Sequence, residues 1–281
     1  METQLLQSKN IRYIDQSKTS LSLPAYHAFA IDDSLCTSIS DDIDVAIVRT
    51  WVHTPTVVLG LQDTRLPYLE KGLPFLVKSG YNPVVRNSGG LAVVLDEEIL
   101  NITLLLHDIK KSISIEKAYE EMVTLIKAMF SSFTDKIEAK EITRSYCPGS
   151  FDLSIDNKKF AGISQRRVKH GIAIQIYLCV SSDGEARAAL IKQFYDLALN
   201  GESTKVNYPD IDPSCMASLS DLLGVSLSID DVLLLLQKEL ERNSTNMVVD
   251  TLTTKEITVY HQKLPILAER NKDILEDYFH E

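Results

Sequence analysis

The stretch TRSYCPGSFDLSIDNKKFAGISQRR, from Thr143 to Arg167, predicts a turn followed by a β-hairpin. Asp156 and Asn157 separate its two strand-like runs, and both residue types tolerate the positive φ that tight hairpin turns require. Cys147 precedes a Pro-Gly pair and is therefore expected in a turn and not in a core strand. The stretch thus predicts an accessible thiol beside a β-ribbon.

Strand and helix patterns alternate on both sides of this stretch. Apolar residues from Ile172 to Leu178 recur at every second position, which is typical of a half-buried strand. Apolar residues from Ile115 to Phe130 recur at helical spacing, and Ser114 can cap that helix. The sequence therefore predicts an α+β fold, with helices flanking a mixed β-sheet and a small helical C-terminal part.

The character of the chain changes after Gly201, and Pro209 and Pro213 mark a linker-like passage. Three helical segments are predicted beyond it, at 217–223, 229–242 and about 256–278. We therefore predict a larger domain at 1–205, with its motifs between about 45 and 199, and a helical C-terminal subdomain at 206–281.

Two earlier pairs of strand-like runs read as hairpins. The runs 45–51 and 56–61 are separated by a His-Thr-Pro turn, and the runs around RNSGG (Arg86–Gly90) by a Ser-Gly-Gly turn. An ordinary tight turn is the simpler interpretation of RNSGG. In the alternative, its glycines let a ligand approach the backbone, and Arg86 holds a carbonyl or an anion.

Composition excludes several classes of protein. The 281 residues carry 29 Lys plus Arg against 39 Asp plus Glu, and a net charge of −10 disfavours a nucleic-acid partner. The N-terminal 16 residues lack the pattern of an export signal, and no apolar run is long enough to span a bilayer. The four cysteines and six histidines show neither disulfide nor metal-site spacing. We expect a cytoplasmic protein without a metal or a membrane contact.

Cys147 is the cysteine that differs from the other three. Cys36, Cys179 and Cys215 lie beside apolar residues in predicted elements, as buried structural cysteines do. Cys147 lies in a turn, where a thiol near cationic groups ionises and acts as a nucleophile. A structural role for Cys147 stays the alternative.

Lys158 and Lys159 are adjacent in the second hairpin strand, so their side chains point to opposite faces. Lys159 shares its face with Ala161 and Ile163, and partial desolvation there would let its charge stabilise a thiolate or an oxyanion. The strand pattern by itself favours two solvated turn lysines instead. The loop that carries Cys147 must also fold back over the sheet before the two groups can meet.

The segments RNSGGLAV (Arg86–Val93) and KFAGISQR (Lys159–Arg166) occur in the order of two motifs of one superfamily. They resemble R-R-x-[ST]-G-G-G-A-V and K-[IV]-[AS]-G of the lipoate–protein ligases, octanoyltransferases and biotin–protein ligases. Asn87 and Leu91 depart from the first motif, in place of its second arginine and third glycine. These departures suggest a site that is not built for an acyl-adenylate phosphate.

The resemblance implies a biotin/lipoate protein ligase-like fold, with 1–205 as a catalytic acyltransferase domain. Cys147 falls where the octanoyltransferases of Gram-positive bacteria carry an acyl-thioester cysteine. The implied reaction belongs to protein lipoylation and needs no cofactor. It moves an octanoyl group from a lysine of the glycine cleavage H protein to a lysine on a lipoyl domain of a 2-oxoacid dehydrogenase E2 subunit. The implied catalytic residues are Cys147 and Lys159, and the implied substrate-binding residues are Arg86, Ser88, Gly89, Gly90, Ala161 and Gly162.

Three other functions stay open at this point. An octanoyl-[acyl-carrier-protein]:protein octanoyltransferase would use the same cysteine with a different donor. An ATP-dependent lipoate–protein ligase would need no thiol. A non-catalytic module that binds octanoylated proteins would leave Cys147 unmodified.

Overall fold

The structure is a computed structural model that describes residues 10–19, 21, 23–39, 44–108, 110 and 112–275. The strands of this part are β1 (Asn10–Gln16), β2 (Val45–Trp51), β3 (Thr56–Leu59), β4 (Asn82–Val85), β5 (Val93–Leu95), β6 (Ile99–His107), β7 (Glu138–Ala139), β8 (Leu153–Ile155), β9 (Lys158–Val168), β10 (Gly171–Cys179) and β11 (Asn246–Val249). Its α-helices are α1 (Tyr26–Ile39), α2 (Leu69–Lys78), α3 (Ile115–Met129), α4 (Gly184–Leu199), α5 (Leu219–Leu223), α6 (Ile229–Asn243) and α7 (Thr254–Leu275).

The strands form two sheets. The larger sheet has eight strands in the order β11-β1-β2-β6-β10-β9-β8-β7, and the smaller has three in the order β4-β3-β5. Both sheets are mixed, because β1 pairs in parallel with β2 and β11, and β3 pairs in parallel with β4. Helix α3 packs against β9 and β10, and α1 against β2, β6 and β10. The predicted α+β class, a mixed sheet flanked by helices, is confirmed.

The hairpin that was expected at the centre of the chain is present. Asp156 and Asn157 have φ of 49° and 64°, the left-handed values that a tight turn needs. Strand β8 pairs with β9 in antiparallel fashion, with Ser154 opposite Lys159 and a shift in register at Leu153. Strand β9 therefore brings Lys159 to the part of the sheet that faces the cysteine turn, which we define as residues 142–149.

Both predicted hairpins in the first half are wrong. Strand β2 belongs to the larger sheet and β3 to the smaller one, so the two strands do not pair. Strands β4 and β5 each pair with β3, which lies between them. The segment between β4 and β5 is therefore a crossing connection rather than a tight turn, and it is free to make contacts elsewhere. We refer to residues 86–92 as the glycine segment.

The C-terminal part is attached to the same framework. Strand β11 extends the larger sheet beside β1, and α7 packs against α1. Thr253 and Glu256 cap α7, and the helix continues through Pro265. The predicted end of this helix at Tyr278 lies outside the described residues. The domain boundary near residue 205 stays a prediction.

Within the described part of the chain, each helix is too short or too polar to cross a membrane.

Candidate active site

The backbone of the cysteine turn brings Cys147 towards the larger sheet. Cys147 is half-buried and has a φ of 46°, a left-handed value that is uncommon for a residue other than glycine or asparagine. The turn is anchored further along the chain, because the carbonyl oxygen of Arg144 accepts a hydrogen bond of 2.9 Å from the N–H of Asp212. A backbone held in this conformation indicates that surrounding contacts determine the position of the thiol.

A buried ion pair supplies those contacts. Lys159 is fully buried, and its Nζ lies 3.0 Å from Asp152 Oδ1. Asp152 Oδ2 accepts the N–H groups of Ile142 and Gly149, one from each end of the cysteine turn. Burial raises the pKa of Asp152, against the effect of the neighbouring Lys159. The pair therefore joins β9 to both ends of the turn.

The amino group of Lys159 also binds the middle of the turn. Nζ donates to the carbonyl oxygen of Cys147 at 2.9 Å and to that of Tyr146 at 3.0 Å. It also lies 3.1 Å from Ser145 Oγ. An ammonium group has three donors, and these oxygens with Asp152 occupy all of them. Lys159 thus contacts the main chain of Cys147, and its N–H donors bind oxygen atoms and not the sulfur.

The sulfur of Cys147 faces the glycine segment. The N–H of Leu91 donates to Cys147 Sγ at 3.2 Å, and Arg86 Nη2 lies 3.7 Å from the same atom. Donors and positive charge next to a sulfur interact more strongly with a thiolate than with a thiol. Gly90 leaves the space for this approach, because a Cβ at its position would lie 2.4 Å from Arg86 Nη2 and 3.2 Å from the sulfur.

A cavity of about 340 Å³ opens beside the sulfur. This volume lies in the range of about 300–1,000 Å³ that is usual for small-molecule sites. Its walls combine apolar side chains from both sheets with a few polar ones. The apolar lining includes Phe29, Trp51, Val58, Val93, Leu95, Ile102, Ile163, Ile176 and Tyr177. The polar lining includes Asn101, Thr103, Ser164 and Gln175. Such a cavity suits an acyl chain whose reactive end reaches Cys147.

The structure brings most of the predicted site residues together at this cavity and separates two from it. The predicted site residues that line the cavity are Arg86, Ser88, Gly89, Gly90, Cys147 and Gly162. Lys159 lies behind the cysteine turn, and Ala161 is fully buried in the core; neither is among the residues that line the cavity. Lys158, next to Lys159, instead has a side chain that is 44% exposed and pairs with Glu185.

The other three cysteines have less reactive surroundings. Cys36 is fully buried, which raises the pKa of its thiol well above the usual value. Burial also raises the pKa of Cys179, to about 12, and that of Cys215. A thiol with a raised pKa is a poor nucleophile near neutral pH. Cys147 is the cysteine that lines the cavity among the described residues.

Sequence reasoning missed two parts of the site. The Leu91 N–H donor was missed because the motif pattern describes side chains, and Leu91 counted only as a departure from glycine. Asp152 was missed although the hairpin register held a signal for it. A hairpin that turns at Asp156 and Asn157 places Ser154 opposite Lys159, and Asp152 is the acid that precedes Ser154 by two residues.

Comparison with known proteins gives consistent matches. Residues 24–241 match the model of the family described as lipoyl protein ligase A/B catalytic domain. An octanoyl-[GcvH]:protein N-octanoyltransferase of Geobacillus kaustophilus is 50% identical over 98% of this chain and 97% of its own length. A lipoyl-[GcvH]:protein N-lipoyltransferase of Listeria monocytogenes is 46% identical over 98% of this chain and 99% of its own length.

A solved structure has the same fold. The bi-partite lipoate protein ligase of Thermoplasma acidophilum, whose structural description includes an E2 lipoyl domain, aligns with a TM-score of 0.70. The alignment covers 95% of this chain and 98% of that chain at 20% identity. The likeness in fold agrees with the lipoate-ligase-like architecture that was expected.

Proposed function

Because the chain belongs to the lipoyl protein ligase A/B catalytic domain family, we propose that it transfers an octanoyl group between protein lysines through a thioester on Cys147. Membership confirms the family that the segments Arg86–Val93 and Lys159–Arg166 indicated. The observation that carries the mechanism is the position of Cys147 Sγ at the cavity, 3.2 Å from the N of Leu91.

In the first half of the reaction, the thiolate of Cys147 attacks the carbonyl carbon of an octanoyl-lysine amide. A C–S bond forms, the C–N bond breaks, and the amine leaves after it has gained a proton. The Leu91 N–H and the Arg86 guanidinium are the donors next to the sulfur, and we assign them to the developing oxyanion.

In the second half, the neutral amine of an acceptor lysine attacks the thioester. A C–N bond forms, the C–S bond breaks, and the thiolate is restored while the new amide nitrogen loses a proton. One lysyl amide replaces another, so the overall exchange is nearly balanced in free energy. The reaction therefore needs no ATP and no cofactor.

The predicted binding residues take distinct parts in this proposal. Arg86 is the strongest candidate, because its buried Nε has no hydrogen-bond partner among the described residues while its Nη2 faces the sulfur. Ser88, Gly89 and Gly90 would lie along the entering acyl-lysine, and Gly162 along the acyl chain. Ala161 would act from the core, through the shape of β9.

Lys159 enters the proposal with a narrower role than the one expected from the sequence. Its Nζ binds the carbonyl oxygen of Cys147 and thereby orients the nucleophile. To donate a proton to the leaving amine, Nζ would first have to release one of its oxygen partners. We propose the orienting role as the main one and proton donation as the second.

The proposed donor is the octanoylated glycine cleavage H protein, in line with the GcvH that the names of the relatives print. The proposed acceptors are lipoyl domains of 2-oxoacid dehydrogenase E2 subunits. We place the reaction in the cytoplasm, since a catalytic thiol persists where cysteines are kept reduced. An octanoyl carrier protein as the donor is the second candidate, because the same cysteine would serve it.

Intact-mass spectrometry tests the proposal directly. The protein is mixed with octanoylated H protein, or with octanoyl carrier protein, in the absence of ATP. We expect an octanoyl adduct on Cys147 from the H protein, and transfer onward when a lipoyl domain is added. Cys147→Ala should form no adduct and should transfer at least about 10³-fold more slowly.

The alternatives give different results in the same experiment. An adduct from the carrier protein alone would identify the second donor. Transfer that requires ATP and persists in Cys147→Ala would identify a ligase. Binding of octanoylated protein without any adduct or transfer would contradict an enzymatic function.

A further inference from the structure

The peptide that joins Leu91 to Ala92 is held at both of its polar ends. Arg86 Nη2 donates to the carbonyl oxygen of Leu91 at 2.7 Å. On the other side of the peptide, the N–H of Ala92 donates to the hydroxyl oxygen of Tyr195 at 3.0 Å. A peptide unit is planar, so two contacts on opposite sides fix its rotation. The Leu91 residue that donates to Cys147 Sγ lies immediately before this fixed plane.

Tyr195 is itself oriented by a buried carboxylate. Its hydroxyl donates to Asp63 Oδ1 at 2.9 Å, and both side chains are at most 2% exposed. The other oxygen, Asp63 Oδ2, accepts the N–H of Gly60 at 2.7 Å. Asp63 therefore links the hydroxyl of Tyr195, on α4, to the backbone of Gly60 at the end of β3.

Gly60 is in turn packed against the glycine segment. A Cβ at Gly60 would lie 1.8 Å from the carbonyl oxygen of Gly90, so the two backbones are in direct contact. Asp63 thus reaches the glycine segment by two routes, through the backbone of Gly60 and through the hydroxyl of Tyr195. Neither Asp63 nor Tyr195 lines the cavity.

The charges are arranged to polarise the peptide between them. Asp63 lies on the N–H side of the Leu91–Ala92 peptide, by way of Tyr195, and the Arg86 guanidinium lies on its carbonyl side. A peptide dipole is stabilised when its N–H faces negative charge and its C=O faces positive charge. This chain of hydrogen bonds ends at Arg86, whose Nη2 is also beside Cys147 Sγ.

We propose that Tyr195 and Asp63 are positioning residues for the N–H of Leu91 that points at Cys147 Sγ. Tyr195 holds the Leu91–Ala92 peptide on one side of Leu91, and Asp63, through Gly60 packed against the carbonyl oxygen of Gly90, holds the Gly90–Leu91 peptide that carries this N–H. The effect of this positioning on acyl transfer rests on the proposed function, whereas its effect on the reactivity of the Cys147 thiol does not. Tyr195 and Asp63 act on the sulfur only through the glycine segment.

Tyr195→Phe tests the inference, because it removes one hydroxyl and keeps the ring. Tyr208→Phe is the matched control, because its ring lies 5.0 Å from that of Tyr195 while its hydroxyl donates to Gln62 O and not to Asp63. Two rates are measured below the melting temperatures of all variants. One is single-turnover octanoylation of Cys147 by octanoylated H protein, and the other is alkylation of Cys147 by iodoacetamide at neutral pH.

We expect Tyr195→Phe to slow octanoylation at saturating donor by about tenfold or more, with little change in KM. Alkylation should slow by about threefold, because the loss of thiolate outweighs the gain in its nucleophilicity. Tyr208→Phe should match the wild type in both rates. Asp63→Asn, which keeps the volume of the side chain, should act in the same direction and serves if Tyr195→Phe folds poorly.

The outcomes separate this inference from the proposed function. If the wild type forms no octanoyl adduct but Tyr195→Phe still slows alkylation, the proposed function fails and the positioning role stands. If the wild type is octanoylated and Tyr195→Phe equals it in both rates, the positioning role is overturned. Equal losses in Tyr195→Phe and Tyr208→Phe would overturn it as well, since they would reflect a general loosening of this region.

Discussion

The cysteine turn and the glycine segment meet at one sulfur atom, but they are held in different ways. The turn depends on a fully buried ion pair, Lys159 with Asp152, that binds its backbone at both ends and in the middle. The glycine segment is partly exposed. It is held by single hydrogen bonds to the Leu91–Ala92 peptide and by the close packing of its backbone against Gly60. Damage to the turn should therefore appear mainly as lost stability, and damage to the glycine segment mainly as lost rate.

The largest effect is expected from breaking the ion pair beneath the cysteine turn. Lys159→Met leaves the carboxylate of Asp152 buried without its cation, which should lower the free energy of unfolding by about 3–5 kcal/mol. Urea unfolding measures this quantity. Lys158→Met is the control, because its partly exposed pair with Glu185 should contribute at most about 1 kcal/mol. Equal losses in the two variants would show that the pair does not hold the turn.

A pH-dependent effect is expected from the support of the glycine segment. Burial raises the pKa of Asp63 to about 6 from 3.8, although the Gly60 N–H, the Tyr195 hydroxyl and Arg86 oppose the change. The folded state therefore binds a proton more tightly than the unfolded state. This stabilisation is complete below about pH 4 and is lost as the pH rises through about 6, by about 3 kcal/mol.

Asp63→Asn should remove this contribution. Chemical unfolding of both proteins between pH 4 and pH 7.5 would show the variant gaining stability relative to the wild type as the pH rises. A constant difference across that range would mean that the carboxyl group does not titrate there in the folded state.

A smaller effect, mainly on rate, is expected at Gly90. Its φ is 95°, and the Cβ of Gly90→Ala would displace Arg86 from beside the sulfur. Octanoylation of Cys147 should slow by about tenfold, while the free energy of unfolding falls by about 1–3 kcal/mol. Gly80→Ala, also at positive φ but with open space around its Cβ, should lose stability without losing rate. A loss of rate in both variants would contradict the local explanation.

The smallest effect concerns the strained backbone of the cysteine turn. Both Cys147→Gly and Cys147→Ala remove the sulfur, but only glycine adopts a φ of 46° without steric cost. The glycine variant should be more stable than the alanine variant by about 1 kcal/mol. Thermal unfolding of the two variants side by side measures the difference. If alanine is the more stable of the two, the turn relaxes out of the left-handed region once the thiol is absent.

The adjacent residues Lys158 and Lys159 show how much of this site could be predicted from the sequence. Strand alternation predicted that Lys158 and Lys159 face opposite ways, and they do. It favoured two solvated lysines, which is right for Lys158 and wrong for Lys159. The buried state of Lys159 requires the carboxylate of Asp152, to which the hairpin register points but strand alternation alone does not.

The sequence by itself determined the elements that depend on near neighbours: the hairpin turn at Asp156 and Asn157, the helix that Ser114 caps, and the turn at Cys147. The motifs also determined the family, because their residue types and their order can be read from the sequence without any knowledge of packing. Only the tertiary structure decided that β3 separates β4 from β5 and that the Leu91 N–H reaches the Cys147 sulfur, 56 residues away in the chain. Turn chemistry and strand period are local properties of the backbone, whereas contacts between distant segments follow from how the two sheets pack.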